Sequence, residues 1–243
     1  MIVTIDGPAG SGKSTAARKL SERLGFRYLE TGAIYRALTL CALRAKADLE
    51  NGPVLAELFR RNSVEPVWAQ EGIRVFLNGE DVSAEIRTRK ITERVKSVAR
   101  HAEVRRQVNE LTRGLAKGRS AISEGRDQGT VVFPDADVKF YLDAKLDVRA
   151  RRRYEELVAA GERATLEEVR RELEQRDESD LFRKVAPLRQ APDAVRVDSS
   201  ELTVEEMVGE LERVVMERKS NGSSRSGGIT AGGSTGLTAG GGT

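Results

Sequence analysis

The chain has 243 residues, 33% of them charged and 39% hydrophobic, which is ample for one sizeable core with small subdomains. Its charges nearly balance, 41 basic against 38 acidic for a net +3, so the surplus does not by itself indicate a nucleic-acid partner. One cysteine, Cys41, and one histidine, His101, exclude an internal disulfide framework and a zinc site of the Cys/His type.

Ile2, Val3, Thr4 and Ile5 form a short β-branched run that reads as a buried strand. Asp6 and Gly7 cut it short of a signal peptide, and no stretch approaches the ~20 apolar residues of a membrane span. The expectation is a cytoplasmic protein with no membrane partner. Residues Lys13 to Leu24 read as a helix, with Ala16, Ala17, Leu20 and Leu24 on one face and Gly25 at the expected C-terminal stop. Arg27 to Glu30 is a second strand and Ala33 to Leu43 a second helix, in which Cys41 is expected in the core. This β-loop-α-β-α opening predicts a parallel sheet covered on both faces.

Between 63 and 86 the pattern changes. Val64–Trp68 and Ile73–Leu77 read as strands, with turn signals at Gln70-Glu71-Gly72 and Asn78-Gly79-Glu80, so a small antiparallel insertion is expected. Residues Thr88 to Leu115 look helical and basic, and His101 among them is expected on a surface helix. Parallel-type strands return at Ser120–Glu124, Val138–Leu142 and Ala194–Val197. A charged helical hairpin spans Leu146 to Asp180. The last helix runs from about Thr203 to Arg218, with Thr203 and Glu206 at capping-box spacing. From Ser220 on, Gly, Ser and Thr dominate; such a composition cannot offset its ordering entropy and is expected to be a flexible tail.

The chemistry starts in Gly7-Pro8-Ala9-Gly10-Ser11-Gly12-Lys13-Ser14-Thr15, which matches G-x-x-x-x-G-K-[ST] between a strand and a helix. Glycines let backbone N–H groups turn toward an oxyanion, and the helix that follows presents free N–H groups and a positive dipole end. Lys13 brings a full charge to the terminal phosphates, and the Ser14 hydroxyl suits Mg²⁺. The loop binds ATP or GTP and leaves three classes open. A GTPase switch needs N-K-x-D, which does not occur, and no convincing acidic pair of the motor type ends an apolar strand. A small-molecule kinase needs a second anion site and mobile arginines. Three clusters are candidates: Leu29 to Arg36 and Glu124 to Pro134, each following a predicted strand, and Arg176 to Arg183 with Val185-Ala186-Pro187-Leu188. Arg149, Arg151, Arg152 and Arg153 point around one helix, so only one or two can reach ATP; Arg153 is the candidate.

The stretches T-G-A-I-Y-R, E-I-R-T, G-R-D-x-G-T-V-V-F-P and R-D-x-x-D-x-x-R…A-P-L, in that order behind the phosphate loop, resemble the bacterial cytidylate kinase family over roughly residues 1 to 218. The resemblance implies a P-loop three-layer α/β/α fold with a central parallel sheet, a small antiparallel insertion and a helical lid. It implies a core of residues 1–60, 116–145 and 184–218, a monophosphate-binding part at 61–115 with its insertion at 63–86, a lid at 146–183, and a tail at 219–243 outside the likeness. The implied reaction moves the γ-phosphoryl group of ATP to CMP or dCMP, with Mg²⁺ and no nucleic acid. The implied acceptor-binding residues are Thr31, Arg36, Arg105, Arg126, Asp127, Arg176, Asp180 and Arg183: Arg36, Arg126 and Arg183 hold the acceptor's phosphate, Arg105 and Asp127 read the cytosine edge, and Asp180 with Arg176 meets the sugar. Lys13, Arg126, Asp127 and Arg183 are the catalytic candidates. Glu30 and Glu124 stand where aspartates are expected, which lengthens their reach by one methylene, and Lys96 replaces a common serine beside Ser97. Because one chain supplies both sites and a lid, a monomer is expected.

Overall fold

The computed structural model describes residues 1–69 and 72–226. Five parallel strands form the central sheet: β1 (Ile2–Asp6), β2 (Arg27–Glu30), β6 (Ala121–Gly125), β7 (Val138–Asp143) and β8 (Val195–Asp198), in the spatial order β2-β6-β1-β7-β8. β1 is central, so Val3 and Ile5 lose all contact with solvent, and Val3 sits level with Ile122 and Val138 on its two neighbours. Apolar runs without alternation are what a sheet buried on both faces requires. The β1–α1–β2–α2 opening, with α1 at Lys13–Leu24 and α2 at Thr31–Arg44, is as the sequence predicts. Cys41 is buried among Leu38, Leu40 and Ala42 of α2.

The antiparallel insertion is present as β3 (Val64–Ala69), β4 (Gly72–Leu77) and the two-residue β5 (Glu80–Asp81). Gln70 and Glu71 of the expected turn lie outside the described residues. The sequence reading omits α3 (Gly52–Arg61), although Asn51 caps it by accepting from Val54 N–H and Pro53 stands in its first turn. The helical, basic stretch expected at 88–115 consists of two helices, α4 (Arg89–Ala99) and α5 (Ala102–Ala116). His101 stands between them and shares a hydrogen bond of 2.8 Å with the Leu49 carbonyl. It therefore ties the start of α5 to the chain before α3 rather than decorating a surface helix.

The hairpin is α6 (Leu146–Ala159) and α7 (Leu166–Phe182), with a full capping box at Thr165 and Glu168. The last helix, α8 (Val204–Ser226), carries the expected reciprocal bonds of Thr203 and Glu206 and continues past Arg218 into the first part of the expected tail. Residues 227–243 lie outside the described residues. Three buried clusters result: one under α2–α5 and the small sheet, one between the central sheet, α1 and α8, and a small one inside the hairpin. Among the described residues no helix is long and apolar enough to cross a membrane.

Candidate active site

The phosphate loop and the segments after β2 and β6 leave the C-terminal edge of the parallel sheet, where open α/β sheets bind ligands, and residues 176–183 end α7 of the hairpin. From β1 the chain enters the phosphate loop. Gly7 has φ 152°, and a Cβ there would lie 2.0 Å from the Leu142 carbonyl oxygen on β7. Only glycine fits that approach. Inside the loop, the buried Lys13 ammonium donates to the Pro8 carbonyl at 2.5 Å and to Ser11 Oγ at 3.3 Å. Burial, then the nearby Arg126, pulls its pKa well below the lysine range. Ser14 is exposed, and its hydroxyl donates to Glu124 Oε1 at 3.2 Å. Tyr28 on β2 brings its hydroxyl to 3.5 Å from the same oxygen.

β6 ends beside β1, with Asp6 level with Gly125. Asp6 is buried and accepts from the Gln128 and Gly129 backbone N–H groups at 2.8 and 2.7 Å. Burial pushes its carboxyl up to about 6 against the pull of those two bonds. This staple holds a turn of π-type hydrogen bonding, Gln128–Val132, and with it Arg126 and Asp127. Asp127 is buried, forms a tight ion pair with the buried Arg105 of α5, and stands 3.5 Å from Arg183 Nη2. Arg105 also donates to the Ala99 carbonyl at 3.1 Å and lies 5.6 Å from the Tyr35 ring centroid. Arg126 Nε donates to Asp180 Oδ2 at 2.7 Å. Burial opposes the charge of Asp180, but Arg126, Arg176 and Arg183 hold its carboxyl below the usual range. Arg183 is fixed by the Ala186 carbonyl at 2.5 Å, Ala186 itself having φ 50°. Arg176 keeps exposed surface, yet protein atoms crowd its guanidinium. That desolvation, followed by Arg126, draws its pKa below the arginine value.

Arg36 forms a tight ion pair with Glu30, whose other oxygen accepts from Arg87 Nη2 at 3.0 Å. The buried Nε atoms of Arg36 and Arg105 have no partner among the described residues, and such groups are costly unless a ligand takes them up. Thr31 Oγ1 donates to the Glu124 carbonyl at 3.4 Å. Lys96 is exposed and Ser97 half-buried on α4.

The structure does not bring Arg153 against the phosphate loop. It is half exposed and pairs with Glu156 at 2.9 Å. Arg149 takes that place, donating to the Ala9 carbonyl at 2.9 Å. The two share a helix face, but Arg153 lies one turn farther along, about 6 Å at 1.5 Å per residue. Sequence reasoning weighed Arg149 among four arginines but chose Arg153, and it quoted Asp177 and Arg87 within motifs without giving them a role. It gave Asp6 and Tyr28 no place in the site, although Asp6 stands directly before Gly7.

A phosphate loop on a five-stranded parallel sheet, facing a cluster of arginines and aspartates, defines a P-loop protein of the kinase class. The sequence profile of the family described as Cytidylate kinase matches residues 3–217, and the chain belongs to that family. It is 47% identical over 222 residues to the cytidylate kinase of Geobacter sp. (strain M21), covering 91% of this chain and 95% of that one. With the cytidylate kinase of Shouchella clausii (strain KSM-K16) it shares 43% identity over 215 residues, covering 88% and 96%.

Proposed function

We propose that the chain transfers the γ-phosphoryl group of ATP to CMP or dCMP, giving ADP and CDP or dCDP. The carrying observation is the meeting of Arg105, Asp127, Arg183, Asp180 and Arg126 in one network, joined where Arg183 Nη1 stands 3.9 Å from Asp180 Oδ1, whose Arg126 is close enough to Lys13 to depress its pKa. Phosphoryl transfer needs positioning and charge stabilisation more than covalent help from the protein. Lys13 and the loop N–H groups hold the donor's phosphates. Arg36, Arg126 and Arg183 present forked donors to the acceptor's phosphate. Asp127 accepts from the cytosine N4 amino group while Arg105 donates to the ring's acceptors. Asp180 and Arg176 face the sugar.

A Mg²⁺ ion fits the donors at the loop mouth. Ser14 Oγ and Glu124 Oε1 are hard oxygens 3.2 Å apart, the ligand type this ion takes. Among the described residues no group of three or more His, Cys, Asp or Glu could hold a metal, so the ion depends on the phosphates as well. When bound, it neutralises charge on the β- and γ-phosphates. We read residues 61–115 and 146–183 as parts that close on the core residues 1–60, 116–145 and 184–218, in a cytoplasmic monomer that holds both nucleotides itself.

The test is ADP release from ATP·Mg²⁺ in the presence of CMP, dCMP, UMP or AMP. Turnover with CMP and dCMP is expected. Absence of turnover with all four would overturn the kinase reading. Turnover with AMP and not CMP would overturn only the base assignment.

A further inference from the structure

Asp177 lies one residue after Arg176 and three before Asp180 on α7, and its carboxylate reaches the donor loop. Its Oδ1 accepts from the Ala9 N–H at 3.3 Å, and its Oδ2 accepts from Arg149 Nη1 at 2.6 Å. The same Nη1 donates to the Ala9 carbonyl at 2.9 Å, and Arg149 Nε to the Ala144 carbonyl at 2.8 Å. Both polar groups of Ala9 are thus occupied by one ion pair from the hairpin. The pair is largely buried, at 8% exposure for the Arg149 side chain and 16% for Asp177. Contact is close enough to constrain the next residue as well: a Cβ on Gly10 would stand 3.1 Å from Arg149 Cβ.

We infer that Asp177 is a positioning residue that fixes the phosphate loop to α7 and sets the donor and acceptor halves of the site in register. The inference rests on the kinase reading above and extends it to a residue outside the substrate-binding set. Asp177 and Asp180 are about 4.5 Å apart along the helix axis, less than one turn at 1.5 Å per residue. A segment that short moves as a rigid piece. When Asp177 holds Ala9, Asp180 is held on Arg126, and Arg176 stays near both. Rotation of α7 by one residue would break the Ala9 contacts and withdraw Asp180 together. The clamp uses Ala9 atoms, so it leaves the N–H groups at the helix end, from Gly12 to Thr15, free for phosphate.

Two substitutions test this. Asp177→Asn keeps an oxygen for the Ala9 N–H but removes the charge that holds Arg149. Arg149→Lys keeps a charge for Asp177 but cannot span the Ala9 and Ala144 carbonyls at once. It is the second variant should Asp177→Asn not fold. Binding of ADP·Mg²⁺ is measured by titration calorimetry, and kcat by CMP-dependent ADP release, both per folded molecule from circular dichroism. The expected result for either variant is ADP binding weaker by about fivefold or more and kcat lower by about tenfold or more. A contact that only supports the fold lowers Tm and leaves both values per folded molecule within about twofold of wild type, and that result would overturn the inference. If the wild type binds ADP but does not turn over CMP, the kinase reading falls, while the change in ADP affinity still decides the clamp. If the wild type does not bind ADP, both fall.

Discussion

At the scale of single residues, the site is a problem of keeping like charges close. Lys13, Arg126 and Arg176 crowd one cleft, and burial and mutual repulsion lower the pKa of both Lys13 and Arg176. Without a ligand, Lys13 spends its donors on Pro8 and Ser11. An incoming triphosphate supplies the negative charge that the cluster lacks. This ordering of costs gives a direct expectation for Lys13→Met, which keeps length and removes charge. A lysine whose folded pKa is depressed works against folding while it stays charged. Its removal is therefore expected to leave Tm equal to or above that of the wild type, while CMP-dependent turnover falls by about 100-fold or more. Thermal melts and the ADP-release assay on one preparation check both halves. A lower Tm with unchanged turnover would remove Lys13 from the mechanism and make it a structural residue.

Secondary-structure elements show which parts of the molecule local pattern could foretell. The parallel strands and α1 were legible because Val3, Ile5, Ala16, Ala17 and Leu20 carry their burial in their spacing. α3 carries the same kind of signal in Leu55, Ala56 and Phe59, together with the Asn51 cap and Pro53, and was overlooked. The division of α4 from α5 depends on His101 reaching Leu49, a contact across 52 positions. Arg36, Arg126 and Arg183 could be singled out by motif, but pattern alone could not choose Arg149 over Arg153, because both lie on one face and only distance to the loop separates them. The staple from Asp6 to Gln128 and Gly129 belongs to this scale too, because it ties β1 to the turn that carries Arg126 and Asp127. Asp6 titrates near 6 in the fold, raised from an ordinary 3.8. Its contribution to stability is full below the unfolded value and is lost as pH rises through about 6. Asp6→Asn has no such loss. The difference Tm(variant) minus Tm(wild type) is therefore expected to rise between about pH 4 and pH 7, as a shift in proton affinity on folding requires. Melts across that range check it. A difference that is flat or falls with pH would contradict the raised pKa.

For the whole molecule, the three buried clusters are unequal, and the inequality bears on motion. The central sheet and the part under α2–α5 each bury many large side chains, including Phe140, Leu29 and Ile34. The hairpin's buried apolar residues are Ala150, Val169 and Leu173, packed with Ala9 of the phosphate loop and with partly buried Leu146, Tyr154, Leu157 and Ala164. Elements with little buried apolar area open at lower free energy than the core. Amides of α6 and α7 are therefore expected to exchange with deuterium faster than those of β1, β6 and β7 in the absence of nucleotide. Ligand that binds only the ordered arrangement adds RT ln(1 + [L]/Kd), about 2.7 kcal/mol at a hundredfold excess over Kd. With ADP·Mg²⁺ at that excess, protection should rise in residues 146–182 and in the phosphate loop, while β3 and β4, in the part we propose for the acceptor, should change less. Adding CMP as well should then protect α4 and the N-terminal half of α5, where Arg105 stands. Exchange measured by mass spectrometry in the three conditions tests the sequence of events. Uniform protection of hairpin and sheet without nucleotide would mean that the hairpin does not open independently, and closure would have to come from the acceptor part alone.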